Sequence, residues 1–437
     1  MRWLSFILFF IVILLFSCQP KLQRSFVRQL AVSPNLPIPA SYDQRSSPCR
    51  DKLNYAPDLQ YLEHTPVKII RVNFHIMCKA DSSANFGRAR GRGFIRQVVK
   101  EANSKLRNNK KMHLPLHHNN PLLPMRYQYE LTPDTAVAGD DGIYFHYDDE
   151  LYHMIAGGRH QNNYSQDVFK KYGIRKDDVL NVFVMGIHSD SLQSKTYRPS
   201  GRGIAFSSWV KVAAWYHNCR NDRWKDNKPT DRKSAISAMR LLNHEIGHTL
   251  GLWHTWRGND GCDDTPNHRN CWNKTDNNSQ CDSLWSNNFM DYNAHSSAWS
   301  GCQIATIHYN LHKRKKLRQL LAPTWCSFKE DKSITITDTV DWNGAKDLEG
   351  HLFLAEGSKL TVRCQVSMPP EAKISVAPGA QLILDGGKLY NDCGKQWQGI
   401  ELQKKGGREG SIFLTANASI ENSQNAIEIL QSPPPGD

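Results

Sequence analysis

Three things are missing from this sequence, and each absence narrows what the chain can be. None of its 11 cysteines stands in a C-x-x-C pair, so a cysteine-based zinc site is not expected. Beyond the N-terminus no stretch is long and apolar enough to cross a bilayer. Acid is also in short supply: 42 Asp and Glu stand against 55 Lys and Arg, a net charge of +13, which favours anionic partners. That charge is dispersed. Its densest runs are residues 88–92 and 312–318; the second falls on an expected helix, where a solvated face accounts for it, and no nucleic-acid partner is expected. A hydrophobic content of 39% and a charged content of 22% are ordinary for a folded protein, and 437 residues leave room for two or three domains.

The N-terminus reads as a targeting segment. Met1 and Arg2 precede an apolar run from Trp3 to Phe16 broken only by Ser5, too short to span a membrane and right for a signal-peptide core. It ends in Leu15-Phe16-Ser17-Cys18, similar to a bacterial lipobox in which Cys18 would be acylated; ordinary signal cleavage is the alternative. The expectation is an exported protein, either a bacterial outer-membrane or cell-surface lipoprotein with the membrane surface as a partner, or a secreted one. With Cys18 lipidated, ten cysteines remain for disulfides in an oxidising compartment. The domain plan is then a signal peptide at 1–17, a tether or pro-segment at 18–66 rich in Pro, Ser, Gln and Arg, a main folded domain at 67–326 and a β-rich domain at 327–437. In the tether, Cys49 is either a latency thiol for a metal or a disulfide partner.

The chain is organised around residues 244–254, which read H-E-x-x-H-x-x-G-x-x-H. On a helix, His244 and His248 lie one turn apart on one face and can present two imidazoles to one metal. Glu245 can then reach a metal-bound water. Gly251 allows the φ > 0 that turns the chain sharply and returns His254 as a third ligand, leaving a fourth position open, as in catalytic zinc sites. A bare HExxH could be two surface histidines; five fixed positions argue against that.

Around this motif, β-branched alternation predicts strands at 67–77, 126–131, 179–185 and 203–210, with an amphipathic helix at 93–106. That pattern describes a twisted α/β sheet with the motif helix packed beneath it. Residues 255–300 form a long loop needing staples or ions: Cys262, Cys271, Cys281 and Cys302 are disulfide candidates. Asp260, Asp263 and Asp264 are either calcium ligands or solvated acids. A basic helix at 302–321, with Ile304, Ile307, Leu311 and Leu317 inward, closes the domain. Beyond it, strand fragments recur around Gly357 and Gly379 with a period near 20 residues, predicting a partial right-handed β-helix, with a small β-sandwich as the alternative and Cys364 and Cys393 able to link neighbouring turns.

Residues 287–292, N-N-F-M-D-Y, and 264–266, D-T-P, complete a pattern that resembles the pappalysin (cytophagalysin) family of metzincin zinc proteases over roughly residues 67–322. The resemblance implies a metzincin-like catalytic domain in which His244, His248 and His254 hold Zn²⁺. It implies Glu245 as general base, Tyr292 as a residue that hydrogen-bonds the tetrahedral intermediate, and Met290 as the Met-turn floor of the site. It also implies pairing of Cys262 with Cys281 and of Cys271 with Cys302. The expected function is zinc-dependent hydrolysis of peptide or protein substrates; the alternatives are another amide hydrolase, or a surface adhesin whose β-solenoid carries the function. One departure matters. The loop at 293–301, where some family members carry an acid that selects basic substrate residues, has none here, and Trp299 or His295 would line that pocket instead.

Overall fold

The computed structural model describes residues 28–29, 47–194, 202–221, 232–257, 260–268, 285–292, 296–415 and 417–424. The expected signal peptide with Cys18, most of the tether, Cys271, Cys281 and His295 lie outside them.

The first half is built on strand β1, Lys68–Cys78, whose β-branched and aromatic residues are buried from Val72 onward. It pairs in parallel with β2 (Tyr127–Leu131) along its first half and with β3 (Ile143–Tyr147) along its second. On its other side runs β4 (Leu180–Met185), in register through Phe74 and Val182. Next to β4 lies β6 (Trp209–Ala213), also parallel, and β5 (Arg202–Ala205) pairs antiparallel with β6 at the edge. All six residues of β4 are buried, as a strand covered on both faces requires. Alternation sorts them: Val182 and Val184 face the main core, whereas Phe183 and Met185 face a second cluster with Tyr152 and Trp209.

The main core lies between the sheet and helices α1 (Arg88–Arg107) and α2 (Arg232–Thr249), which pack on each other. Helix α1 starts earlier than its apolar period predicts. The basic run at 88–92 forms its first turn, because Gly91 lets the helix approach β1 and β3 so closely that a Cβ there would meet Ile76 at 2.7 Å. The strand expected at 203–210 is a hairpin, β5 and β6, turning at 206–208, and β3 had no counterpart in the strand pattern. The closing helix divides at Arg314, whose extended backbone (φ −91°, ψ 108°) separates α3 (Gly301–Lys313) from α4 (Lys315–Gln319). Ser300 and Gln303 form a reciprocal capping box at the start of α3. Its inner residues Ile304, Ile307 and Leu311, with Leu317 of α4, are buried as expected.

Residues 334–420 are β-rich. Their strands stack in three parallel sheets, for example Ile334, Leu352, Ile374 and Ile400 in successive register in one, and Val340, Leu360, Leu382 and Ile412 in another. Inward-pointing residues of all three sheets make one apolar core. Gly357 and Gly379 both have φ +78° at corresponding corners, a conformation that favours glycine.

Two disulfides, Cys49–Cys364 and Cys326–Cys393, join this region to the rest of the chain. Cys364 and Cys393 therefore do not link each other: both lie on the side that meets the catalytic domain, where their nearest cysteines come from residues before β1 and after α4. Cys49 is a disulfide partner, and its sulfur is not available to a metal. The segment 47–66 lies against both parts: Tyr55 packs edge-on against Tyr309 of α3 at 5.2 Å, and Trp342 Nε1 donates to His64 Nδ1 at 3.3 Å. Beside it, Asp347 accepts from Lys68 Nζ at 2.6 Å and from Arg318 Nη2 at 2.8 Å, and Arg318 also reaches Asp392. Not every cysteine is oxidised: Cys78, at the end of β1, is a buried thiol that burial pushes up to about 11. Among the described residues no helix is long and apolar enough to cross a membrane.

Candidate active site and metal centre

Helix α2 presents His244 and His248, and the chain leaves it at Gly251 with φ +95°. That turn brings His254 back, and the three Nε2 atoms converge: His244–His248 3.1 Å, His248–His254 3.0 Å and His244–His254 3.2 Å. Three imidazole nitrogens cannot all satisfy one another as donors and acceptors, but they can share a cation. The other ring nitrogens support this. His244 Nδ1 donates to Phe289 O at 2.6 Å and His248 Nδ1 to Leu252 O at 2.8 Å, which fixes the tautomer and leaves each Nε2 lone pair facing the common point. Burial, reinforced by the neighbouring His248, pushes the His244 imidazole down to about 3, so it is neutral, the ligating form, at ordinary pH. The donor set fits a divalent transition metal, and zinc suits three neutral imidazoles with an open position.

Glu245 follows the first histidine and is 5% exposed; burial raises its carboxyl to about 8. It lines the same cleft as the three histidines, a cavity of about 890 Å³ walled by α2 on one side and by Gly203, Ile204 and Ala205 of the edge strand β5 on another.

The floor comes from residues 287–292. Asn288 Oδ1 accepts the Met290 N–H at 2.8 Å and Asn288 Nδ2 donates to Gln303 Oε1 at 2.8 Å, tying the turn to α3. Met290 Sδ lies under Gly247, where a Cβ would meet it at 2.5 Å. Tyr292 lines the cleft with its ring 4.6 Å from that of His254 and 5.8 Å from that of His244. Between them Asp291 accepts from His268 Nε2 at 2.7 Å, Thr255 Oγ1 at 3.3 Å and Tyr292 N at 2.7 Å. Burial works against its charge, but His268 and these donors outweigh that and lower its pKa. Asn288 and Asp291 belong to the 287–292 motif, though the motif alone assigns neither a role; His268 and the stacked Trp256 stand outside the motifs, and only their nearness to motif residues could have suggested them.

Two expectations about the surroundings need correction. Cys262 pairs with Cys302, so neither implied partner, Cys281 for the one or Cys271 for the other, is used. The local fold favours this bond: Asp264 Oδ2 accepts the Cys302 N–H at 2.9 Å and holds the 260–265 loop against the start of α3. Asp260 is engaged likewise, by Cys262 N and Thr265 Oγ1. Among the described residues, the other group with metal-ligand spacing is Cys262, Asp264 and Cys302, whose sulfurs are in that disulfide. Trp299 does not line the cleft. It is 2% exposed and stacks on Phe289 at 4.9 Å behind Gly247, held there by Asn109, which bonds both its N–H and its carbonyl.

The sheet, the convergent histidines and the methionine turn together define a metalloprotease. Residues 213–312 match the peptidase M43 family model, described as pregnancy-associated plasma protein-A, so this stretch, which holds the three histidines and the methionine turn, is similar to that of pappalysin-type metalloproteases. No curated protein sequence matches the chain. Among solved structures, mirolysin in complex with compound 9 is 17% identical, with 58% of this chain and 96% of that one covered and a TM-score of 0.39. Tannerella forsythia mature mirolysin in complex with a cleaved peptide is 18% identical over 58% and 94%, with a TM-score of 0.37.

Proposed function

We propose that this protein is an exported zinc endopeptidase in which His244, His248 and His254 hold the metal and Glu245 is the general base. The observation that carries this reading is the convergence of three Nε2 atoms beside a buried carboxylate in an open cleft. Zinc, when bound, acidifies water and polarises a carbonyl. The chain's own residues supply the rest. Glu245 takes a proton from the attacking water and delivers it to the leaving amine, since it lies beside both paths; its carboxyl ionises more readily next to a cation than burial alone allows. The Tyr292 hydroxyl donates to the oxyanion of the tetrahedral intermediate, and Asp291, bonded to its backbone N–H, positions it. The edge strand β5 bounds the cleft and offers backbone groups to an extended peptide, which would add as a further strand. Peptides that fit are therefore bound in extended form, as in most strand-addition sites.

Further from the metal, we read the stacked parallel strands after residue 334 as a partial β-helix, and the N-terminal segment as a signal that exports the chain and anchors it to a membrane through Cys18. Nothing in the described residues favours the adhesin reading over the peptidase, because the ligand set, general base and cleft are all intact. A casein gel decides between them: clearing by the wild type and none by Glu245→Ala, with equal zinc content in both, is the expected result. Well-folded protein that holds no zinc, or clearing that survives the substitution, would refute the assignment.

A further inference from the structure

A loop at 153–165, between β3 and β4 in the chain, contributes Met154, Ala156, Asn163 and Tyr164 to the cleft. Its two limbs are joined through Asn162. The Asn162 N–H donates to Ile155 O at 3.0 Å, the Ile155 N–H to Asn162 Oδ1 at 2.7 Å, and Asn162 Nδ2 to His153 O at 3.1 Å. The first limb is bonded beyond the end of β4, where the Met154 N–H donates to Gly186 O at 3.2 Å. The second limb, which carries Asn163 and Tyr164, is fastened to the sheet by Lys211 in the middle of β6. Its Nζ donates to Asn162 O and to Asn163 O, each at 3.0 Å.

Lysine is an unfavourable choice for that position on packing grounds alone. Lys211 is 3% exposed and alternates onto the same face of β6 as Trp209 and Ala213 of the second apolar cluster. Burial pushes its ammonium down to about 8. A buried charge costs free energy unless its donors are met, and an aliphatic side chain would fill the position without that cost. What the ammonium adds is a pair of bonds to consecutive carbonyls immediately before Tyr164. Tyr164 itself is 66% exposed. Met154 and Ala156 of the loop, with Ile204 and Ala205 of β5, make this side of the cleft largely apolar. An exposed aromatic ring in such surroundings gains most by covering an apolar side chain and releasing the water over its face.

We propose that the 153–165 loop is a substrate subsite in which Tyr164 is the specificity-determining residue, selecting an apolar side chain of the bound peptide, and Lys211 is the positioning residue that holds Tyr164 in the cleft. The proposal rests on the peptidase reading above. Because β5 pairs with β6, with Ile204 opposite Lys211, the same lysine sets the distance from the ring to a peptide lying along β5.

The test uses the zinc-loaded full chain and peptides matched in pairs, Leu against Asn and Met against Gln, substituted at each peptide position in turn. The readout is the ratio of kcat/KM within each pair, which cancels general losses of activity. At the position that meets the loop, the wild type should favour the apolar member by about tenfold or more. Tyr164→Ala should bring that ratio close to one. Lys211→Met should reduce it at the same position through a higher KM for the apolar peptide, and Lys211→Arg should retain part of it. Tyr164→Ala reads the subsite whether or not a Lys211 variant folds, because the ring is exposed. A wild-type ratio near one at every position overturns the proposal while leaving the peptidase intact. Ratios unchanged everywhere in Tyr164→Ala overturn the assignment to that ring. A Lys211→Met protein that slows both members of the pair equally overturns the positioning role and leaves the lysine merely structural. Failure to cut any peptide, with zinc bound, would refute the peptidase reading itself.

Discussion

Gly203 makes the room that Glu245 occupies. A Cβ on Gly203 would fall closer than 3.0 Å to Cγ, Cδ and Oε1 of Glu245, so the edge strand can approach the proposed general base only without a side chain at that point. Gly203→Ala is therefore expected to lower kcat/KM by about tenfold or more, because displacing a positioned catalytic group by a fraction of an ångström is costly. Zinc content should stay at the wild-type level, since the atoms nearest that position belong to Glu245 and not to a histidine; metal analysis beside a peptide assay checks both.

Gly251→Ala should act on the metal rather than on the base. The φ of +95° disfavours any side chain, and a Cβ would overlap Asn310 Nδ2, the group that donates to Leu250 O at 2.8 Å. Destabilisation of about 1–3 kcal/mol is expected from the backbone strain, together with weaker zinc binding as His254 is displaced. Thermal unfolding and a competitive zinc titration measure the two effects.

Acid should loosen the joint between the two parts of the chain. Asp347 is buried against Lys68 and Arg318; burial works against its charge, but these cations hold its carboxyl far below the usual range. A group depressed in the folded state contributes stability that is present above its unfolded pKa, near 4, and is lost as pH falls below it. Unfolding followed from pH 7 to 3 should show this loss. Asp347→Asn should reduce the slope and cost about 1–3 kcal/mol at pH 7, because it leaves the half-buried Lys68 without this carboxylate and Arg318 with Asp392 alone.

Among the described cysteines, peptide mapping without reduction should recover three linked pairs: Cys49 with Cys364, Cys262 with Cys302 and Cys326 with Cys393. A Cys262–Cys281 peptide would contradict the structure. Alkylation before unfolding should spare Cys78, which is buried.

How much of this could be read from the sequence follows from which interactions are local. His244, Glu245, His248, Gly251 and His254 are joined by helix geometry and one turn, so their arrangement was legible in their spacing. Met290 was legible through a motif. The strands of the sheet announced themselves by alternation, except the β5–β6 hairpin, which alternation reads as one strand, and β3, where Ile143–Tyr147 mixes buried, half-buried and exposed positions. Disulfide pairing was not legible, because it depends on which distant segments meet: Cys49 and Cys364 are separated by 315 residues. Trp299 was misplaced for a related reason. Its nearness to the site in sequence says nothing of Asn109, whose side chain turns it into the core. The acid-free loop after Tyr292 was visible, but the cleft it borders emerged only once α2 and β5 were set across from each other.

The bond between Cys49 and Cys364 also has a mechanical meaning. It closes the chain from 49 to 364 into a covalent ring that contains the whole catalytic sheet, its helices and the histidines. A pull applied ahead of residue 49 is carried through the sulfurs straight into the β-rich stack, and the peptidase hangs beside that line of force rather than within it. Likewise a single backbone cut anywhere inside the ring leaves one covalent molecule. An enzyme working among proteases, or tethered at its N-terminal end, would keep its parts together under both kinds of insult.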